Sequence, residues 1–322
     1  MDKIQIAIVG YGKLGKGVEK AIEKAPDMKL FGVFSRRDPK TLDTKAFSLK
    51  EIENYKDEID VVVLCSGSKS DVPVQGPMLA ANFNTVDAYD NHDLIYDYFT
   101  KMDEKAKEGN KVSIVGTGWD PGLFSLNRIL SEAVLPDGST YTFWGRGLSQ
   151  GHSDALRRVE GVKLAAQYTL PSEDMLDKIR KGKEVNYTAK TAHKRDCYIV
   201  AEEGADQAKI EDEIVHMPDY FEGYDTKVNF ITEEEYMKNH TRLAHGGHVL
   251  RLGQTSSSNK ALYEFILDLD SNPDFTGSVN LAYARAAYRL AQKGESGALT
   301  IADIGPGLLS PRSREEIIKE LL

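Results

Sequence analysis

Apolar positions in the first third of the chain gather in short runs: Ile4 to Val9, Leu30 to Phe34, Val61 to Cys65, Thr85 to Ala88 and Val112 to Val115. Runs that stay apolar along most of their length, rather than alternating, suit strands covered on both faces. The stretches between them, such as Lys16 to Ala25, carry the spacing of amphipathic helices. This alternation predicts a doubly wound α/β domain over residues 1–120, built on a parallel sheet. In such folds ligands lie beyond the carboxyl ends of the strands. The segments to read for chemistry are therefore Gly10 to Gly15, Ser35 to Arg37, Cys65 to Ser68, Asp87 to Asn91 and Gly116 to Gly122.

Past Gly122 the pattern changes. Candidate strands at Thr140 to Trp144, Lys163 to Leu170, Cys197 to Ala201, Thr226 to Ile231, His248 to Gly253 and Ala261 to Leu267 include alternating ones. Charged helical segments, Ser172 to Lys181 and Ala205 to His216, lie between them. An α+β domain over 121–275 is expected, with one open-faced mixed or antiparallel sheet and helices on one side. Residues 276–322 return to helix at Ser278 to Gln292 and again from Ser313, whose spacing to Glu316 is that of a capping box. This tail is expected to pack back on the nucleotide domain.

Composition narrows the function classes. The 322 residues are 41% hydrophobic, enough to bury a core in each of two domains. A formal net charge of −9 disfavours nucleic acid or an anionic membrane as partner. No apolar run approaches the roughly 18 residues of a membrane span, and nothing near the start reads as a signal peptide. A soluble, cytoplasmic protein is expected. Cys65 and Cys197 are too few for a disulfide framework or a thiolate metal site.

The candidate chemistry begins at Gly10-Tyr11-Gly12-Lys13-Leu14-Gly15, a G-x-G-x-x-G string behind the first apolar run. Closely spaced glycines let the backbone approach a pyrophosphate, whose charge the next helix N-terminus stabilises. About twenty positions on, where an acid would hold a ribose 2′-hydroxyl, stand Ser35-Arg36-Arg37. Arginine forks match phosphate oxygens, so the cofactor expected is NADP. Read alone, Arg36 and Arg37 would be a solvated pair in a turn; beside the glycines they are not.

Asp90, in Tyr89-Asp90-Asn91-His92, could accept hydrogen bonds from a substrate ammonium or form an Asx turn. Asp120, in Gly118-Trp119-Asp120-Pro121-Gly122, could join it in an acidic pocket, or cap the helix through Leu130 with Pro121 at its first position. Trp144 reads more readily as core or interface than as ligand wall. Arg195 could clamp a carboxylate or pair at the surface beside Asp196. His245-Gly246-Gly247-His248 has H-x-x-H spacing, but its glycines favour a loop or bulge and no acid or cysteine is near, so no metal is expected.

Taken together, AIVGYGKLG, GVFSRR, TVDAYDNH, TGWDPG, TFWGRGLSQGHSDALRR, QYTLPSED, HKRDC, MPDYFEGY, HGGHV and NPDFT resemble the meso-diaminopimelate dehydrogenase family over nearly the whole chain. The resemblance implies that Asp90, Asp120 and Trp144 surround the D-configured centre that is oxidised. It implies that Gln150, Gly151, Thr169, Arg195, His245 and Asn272 hold the rest of the substrate, with Arg195, Thr169 and His245 at the carboxylate of the L centre. It places the cofactor against Tyr11 to Leu14, Ser35 to Arg37, Cys65, Ser66, Gly67 and Ser68, Ala88, Tyr89 and Asp90, and Thr117 to Pro121. It further implies hydride loss from meso-diaminopimelate, release of ammonia and a homodimer formed through the second domain. Gly116 stands where the family pattern has serine. Two other classes remain open at this point. One is another NADP dehydrogenase on the same plan, such as a dihydrodipicolinate reductase or an aspartate dehydrogenase; the other is an NADP-sensing protein without turnover.

Overall fold

The computed structural model describes residues 3–322. Its chain opens with β1 (Ile4–Val9), α1 (Lys13–Lys24), β2 (Met28–Ser35), β3 (Ala46–Ser48), β4 (Val61–Leu64), α2 (Val72–Ala80) and β5 (Asn84–Asp87). Next come α3 (Ile95–Glu108), β6 (Val112–Val115), α4 (Leu123–Val134), β7 (Asp137–Trp144), β8 (Gly147–Leu148), α5 (Gln150–Leu156) and β9 (Val162–Pro171). They are followed by α6 (Glu173–Arg180), α7 (Ala189–Ala192), β10 (His193–Ala201), α8 (Gln207–Val215), β11 (Asp225–Phe230), α9 (Glu233–Asn239), β12 (His245–Ser256) and β13 (Asn259–Leu269). The chain ends with α10 (Asn272–Ala291), β14 (Gly297–Thr300), α11 (Pro306–Leu309) and α12 (Arg314–Leu321).

Two compact units result. One holds the residues up to Leu126 together with Pro273–Leu322; the other is Asn127–Asn272. Sequence patterning sets the boundaries after 120 and 275, whereas the divides fall inside α4 and at the first residue of α10.

The first unit is a seven-stranded parallel sheet in the order β14-β6-β5-β4-β1-β2-β3. Alternate residues of one strand enter different cores. Ile4, Ile6 and Ile8 of β1 join Val61 and Val63 of β4 on one face, while Ala7 and Val9 join Val62 and Leu64 on the other. Each fully buried aliphatic side chain contributes about 1.5–3 kcal/mol, so both residue parities are apolar and the runs look continuous. Val279, Leu281, Ala284 and Ala287 of α10 pack into the first of these cores. Arg285 of the same helix grips Asp27 through two hydrogen bonds of 2.6 and 2.7 Å, which hold that carboxyl below its usual range. The helix starts six residues before the expected Ser278, because Pro273 is well suited to a first helical turn. The Ser313 capping box is present.

The second unit differs from the single sheet expected of it. Its strands form a four-stranded mixed sheet, β11-β10-β9-β8, and a three-stranded antiparallel sheet, β13-β12-β7. Each sheet buries a face against its own helices. Ile210 and Ile214 of α8 cover Ala165, Cys197 and Ile199, whereas Leu176 and Ile179 of α6 cover Tyr141, Phe143 and Leu250. No helix among the described residues is long and apolar enough to cross a membrane.

Candidate active site

In the first unit, β1 lies between β2 and β4, so the chain reverses direction across the sheet at its carboxyl end, the place where a ligand crevice forms. Gly10 leaves β1 with φ +92°, and a Cβ there would lie 2.8 Å from the Ser66 backbone nitrogen. Only glycine lets these two loops meet. Gly12 then stands at the N-cap of α1 without a side-chain hydrogen bond, and no acid occupies the first turn, where Lys13 and Leu14 sit. A helix start with unclaimed N–H groups and a positive dipole end suits a pyrophosphate.

A cavity of about 330 Å³ opens here, lined by Gly10 to Gly12, Ser35 to Arg37 and Cys65 to Gly67. It also takes in Asp71 and Gln75, which the sequence reading does not include. Arg37 donates to the Tyr11 carbonyl, and its own N–H is held by Ser35 Oγ at 3.1 Å. Arg36, two-thirds exposed, pairs with Asp71 at 2.7 Å. An exposed pair of this kind contributes about 1 kcal/mol or less, so the guanidinium can exchange it for a phosphate. Burial pushes the Cys65 thiol up, which makes it a packing residue rather than a nucleophile.

Ser68 links the next two rim loops: its hydroxyl donates to Asp90 Oδ1 at 2.6 Å and accepts the Asp90 N–H at 3.2 Å. The carboxylate is thus tied across loops, not folded into an Asx turn. Ala88 is half-buried and Tyr89 fully buried behind it. Asp120 lies three residues before the first residue of α4. It sits with Pro121 in a turn closed by a bridge between Trp119 and Gly122, and α4 begins only at Leu123. Thr117, Gly118 and Trp119 are buried under this turn.

The second unit gathers three predicted anchors. Thr169 on β9 pairs in register with Gly147 of β8 on one side and with Arg195 of β10 on the other. Arg195 is buried, not at the surface beside Asp196. One of its terminal nitrogens donates to Thr169 Oγ1 at 2.6 Å, and its guanidinium lies 4.1 Å from the centroid of the Tyr224 ring. Burial pushes its pKa down, the Nε has no hydrogen-bond partner, and among the described residues no carboxylate pairs with it. A buried cation in this state is suited to a ligand carboxylate. Gly147 makes room for the third anchor, since a Cβ there would lie 2.3 Å from His245 Nδ1. His245 opens strand β12 instead of a loop, accepts the Gly246 N–H at 2.8 Å, and is pushed toward its neutral form by burial. His248 turns to Glu264 at 3.1 Å, and no cluster suited to a metal ion occurs among the described residues.

Trp144 is half-buried rather than core. Its backbone N–H donates to His193 Nε2 at 2.9 Å and its ring stacks on that imidazole at 5.2 Å. His193 Nδ1 faces the Ala189 carbonyl at 2.9 Å, which fixes the tautomer with Nε2 as acceptor. The Ser149 N–H donates to the Gln167 carbonyl at 2.9 Å, so the start of α5, with exposed Gln150 and Gly151, lies beside β9. His152 on α5 is pushed down to about 4 by burial and then by Arg195. Asn272 donates its backbone N–H to the Leu243 carbonyl at 2.9 Å, close in sequence to His245. Tyr224, His193 and Asp87 belong to the local structure of these sites; they fall inside the segments MPDYFEGY, HKRDC and TVDAYDNH, but the sequence reading gives them no role.

A dinucleotide turn in one unit and a cationic carboxylate anchor in the other define a two-domain nucleotide-dependent oxidoreductase. The comparisons make this specific. A model of the diaminopimelic acid dehydrogenase C-terminal domain matches residues 118–271. The meso-diaminopimelate D-dehydrogenase of Ureibacillus thermosphaericus is 54% identical over 326 residues, covering 100% of both chains. A structure of a six-fold substituted meso-diaminopimelate dehydrogenase from Clostridium tetani E88 with DAP has a TM-score of 0.93 at 51% identity, over 99% of this chain and 100% of that one. An engineered D-amino acid dehydrogenase bound to NADP+ has a TM-score of 0.85 at 47% identity, over 99% and 100%. The chain belongs to the meso-diaminopimelate D-dehydrogenase family.

Proposed function

We propose that this chain oxidises the D-configured centre of meso-2,6-diaminopimelate with NADP+. The products are ammonia, NADPH and L-2-amino-6-oxopimelate, which closes to tetrahydrodipicolinate in lysine and diaminopimelate biosynthesis. The observation that carries the reading is Arg195, buried beside Thr169 with no acid among the described residues paired with it. In the Clostridium tetani variant, substituted Gln, Thr, Arg, His and Asn residues have the separations of Gln150, Thr169, Arg195, His245 and Asn272 here. Its sixth position, a proline directly before that histidine, is Ala244 in this chain.

In this reading Arg195, Thr169 and His245 hold the carboxylate of the L centre, and Gln150, Gly151 and Asn272 hold the remainder of that end. Meso-diaminopimelate has the same groups at both ends with opposite handedness, so fixing one end selects which centre is presented. Asp90, Asp120 and Trp144 receive the D end. The two carboxylates take its ammonium, and one of them accepts the proton that must leave before the Cα–H bond breaks. Bound NADP+ supplies the acceptor for the hydride. Water then attacks the substrate imine, and the C–N bond breaks to free ammonia. The cofactor is held by Gly10 to Leu14 at its pyrophosphate, by Ser35 to Arg37 at the 2′-phosphate, and by Cys65 to Ser68, Ala88 to Asp90 and Thr117 to Pro121 along its nicotinamide half. The enzyme works in the cytoplasm as a homodimer. Exposed Ile129, Leu130 and Val134 on α4 and Leu262 and Ile266 on β13 support pairing through the second unit. Tyr263 of β13 donates to Asn127 of α4 at 2.6 Å, so α4 lies against the strand face opposite to Leu262 and Ile266.

Following NADP reduction and ammonia release with meso- and L,L-diaminopimelate in parallel tests the reading. NADPH and ammonia should form in equal amounts from the meso isomer alone. Equal rates on both isomers, or reduction without ammonia, would overturn it.

A further inference from the structure

Asp87, the last residue of β5, is fully buried. Its Oδ1 accepts the backbone N–H of Tyr89 at 3.0 Å and that of Gly116 at 3.2 Å, while Oδ2 accepts the Tyr98 hydroxyl at 2.8 Å. Its carbonyl accepts the Thr117 N–H at 2.8 Å. The ladder between β5 and β6 ends at Val86 and Ile114, so beyond it Asp87 joins the two loops that follow these strands. Those loops carry Asp90 and Asp120. Among the described residues no lysine or arginine pairs with Asp87, and burial pushes its carboxyl up to about 6 against the pull of its three donors. A buried carboxylate without a cation is costly, and an apolar residue would fill the space more cheaply. The fold also makes room for the third donor: at Gly76 of α2 a Cβ would lie 2.3 Å from the Tyr98 hydroxyl.

We propose that Asp87 is a positioning residue for the deamination, holding the loop after β5 and the loop after β6 in one arrangement and so setting where Asp90 and Asp120 stand. The inference rests on the functional reading above. Asp87→Asn keeps the shape but presents an NH2 group on one side: either a loop N–H loses its acceptor, or the Tyr98 hydroxyl turns to accept from the NH2 and its own proton is left without one.

The test measures kcat and KM for meso-diaminopimelate on the full chain, and the affinity for adenosine 2′,5′-bisphosphate, which reaches only the distant end of the nucleotide site. For Asp87→Asn we expect kcat to fall by about 30-fold, the scale of a small misplacement of reacting groups, with bisphosphate affinity held within about twofold. Tyr98→Phe, which removes one of the three bonds, should lower kcat by about threefold with KM unchanged. It decides the matter if Asp87→Asn does not fold. A folded Asp87→Asn chain with the kcat of the wild type, a loss of kcat matched by loss of bisphosphate affinity, or an unaltered Tyr98→Phe chain would each refute the positioning role. A wild-type chain inert toward meso-diaminopimelate would instead sink the functional reading, and this inference with it.

Discussion

Arg36 and Arg37 act at the scale of single side chains. Each charge-assisted bond to a phosphate contributes about 1.5–3 kcal/mol, and neither arginine is paired with a buried carboxylate. Replacing Arg36 with Asp and Arg37 with Ser should raise the Kd for NADP by about 100-fold while changing that for NAD by less than about threefold. Fluorescence titration with both nucleotides measures the ratio, and an unchanged ratio refutes the assignment. This pair was legible in the sequence because its chemistry is local: a glycine turn and two arginines at the end of the next strand. Asp87 was not. It reads as the polar end of an apolar run, and what makes it special comes from Tyr98 on α3 and Gly116 beyond β6. The turn around Asp120 escaped the reading for the opposite reason. Asp-Pro is a common helix opening, and nothing local shows that Trp119 and Gly122 close a turn around it.

Among elements, the five apolar runs of the first unit became β1, β2, β4, β5 and β6, because a strand buried on both faces leaves no polar parity to confuse the reading. β3 and β14 were missed; they are three and four residues long and sit at the two edges of the sheet. In the second unit every strand but the two-residue β8 was legible, while their partners were not. Whether β12 pairs with β7 or with β9 depends on contacts far apart in sequence, and the outcome is two sheets. The row Gly147, Thr169, Arg195 rests on β9 pairing with β8 on one side and β10 on the other. Gly147→Ala should displace the His245 ring, since its new Cβ would lie 2.3 Å from Nδ1. The expected result is a rise in KM for meso-diaminopimelate of about tenfold, or roughly 1.4 kcal/mol, with NADP affinity unaltered. Steady-state kinetics beside a nucleotide titration would show it. Loss of nucleotide binding as well would mean general damage.

For the whole molecule, the divide between the units was visible as a change of texture after Gly122. Its position inside a helix was not, because α4 and α10 keep one helical pattern across it. The expected dimer belongs to this scale. A stable interface buries about 1,200–2,000 Å², more than a few scattered side chains supply, so Leu262 and Ile266 must belong to a wider surface of the second unit. Native mass spectrometry should give twice the chain mass. A chain with Leu262→Glu and Ile266→Glu should run as a monomer. A wild-type monomer, or a dimer unaffected by these charges, would place the contact elsewhere or abolish it.

The anchors Thr169 and Arg195 stand on neighbouring hydrogen-bonded strands, with Gly147 on the next, and this makes the second unit a ruler. Strands in a sheet are held about 4.8 Å apart, and the smallest slip along one is about 3.3 Å, which turns every side chain to the opposite face. In the proposed reading the substrate carboxylate is held by side chains whose strands cannot slide by fractions of these steps. Moving that carboxylate would therefore take new side chains in this row, not movement of the strands.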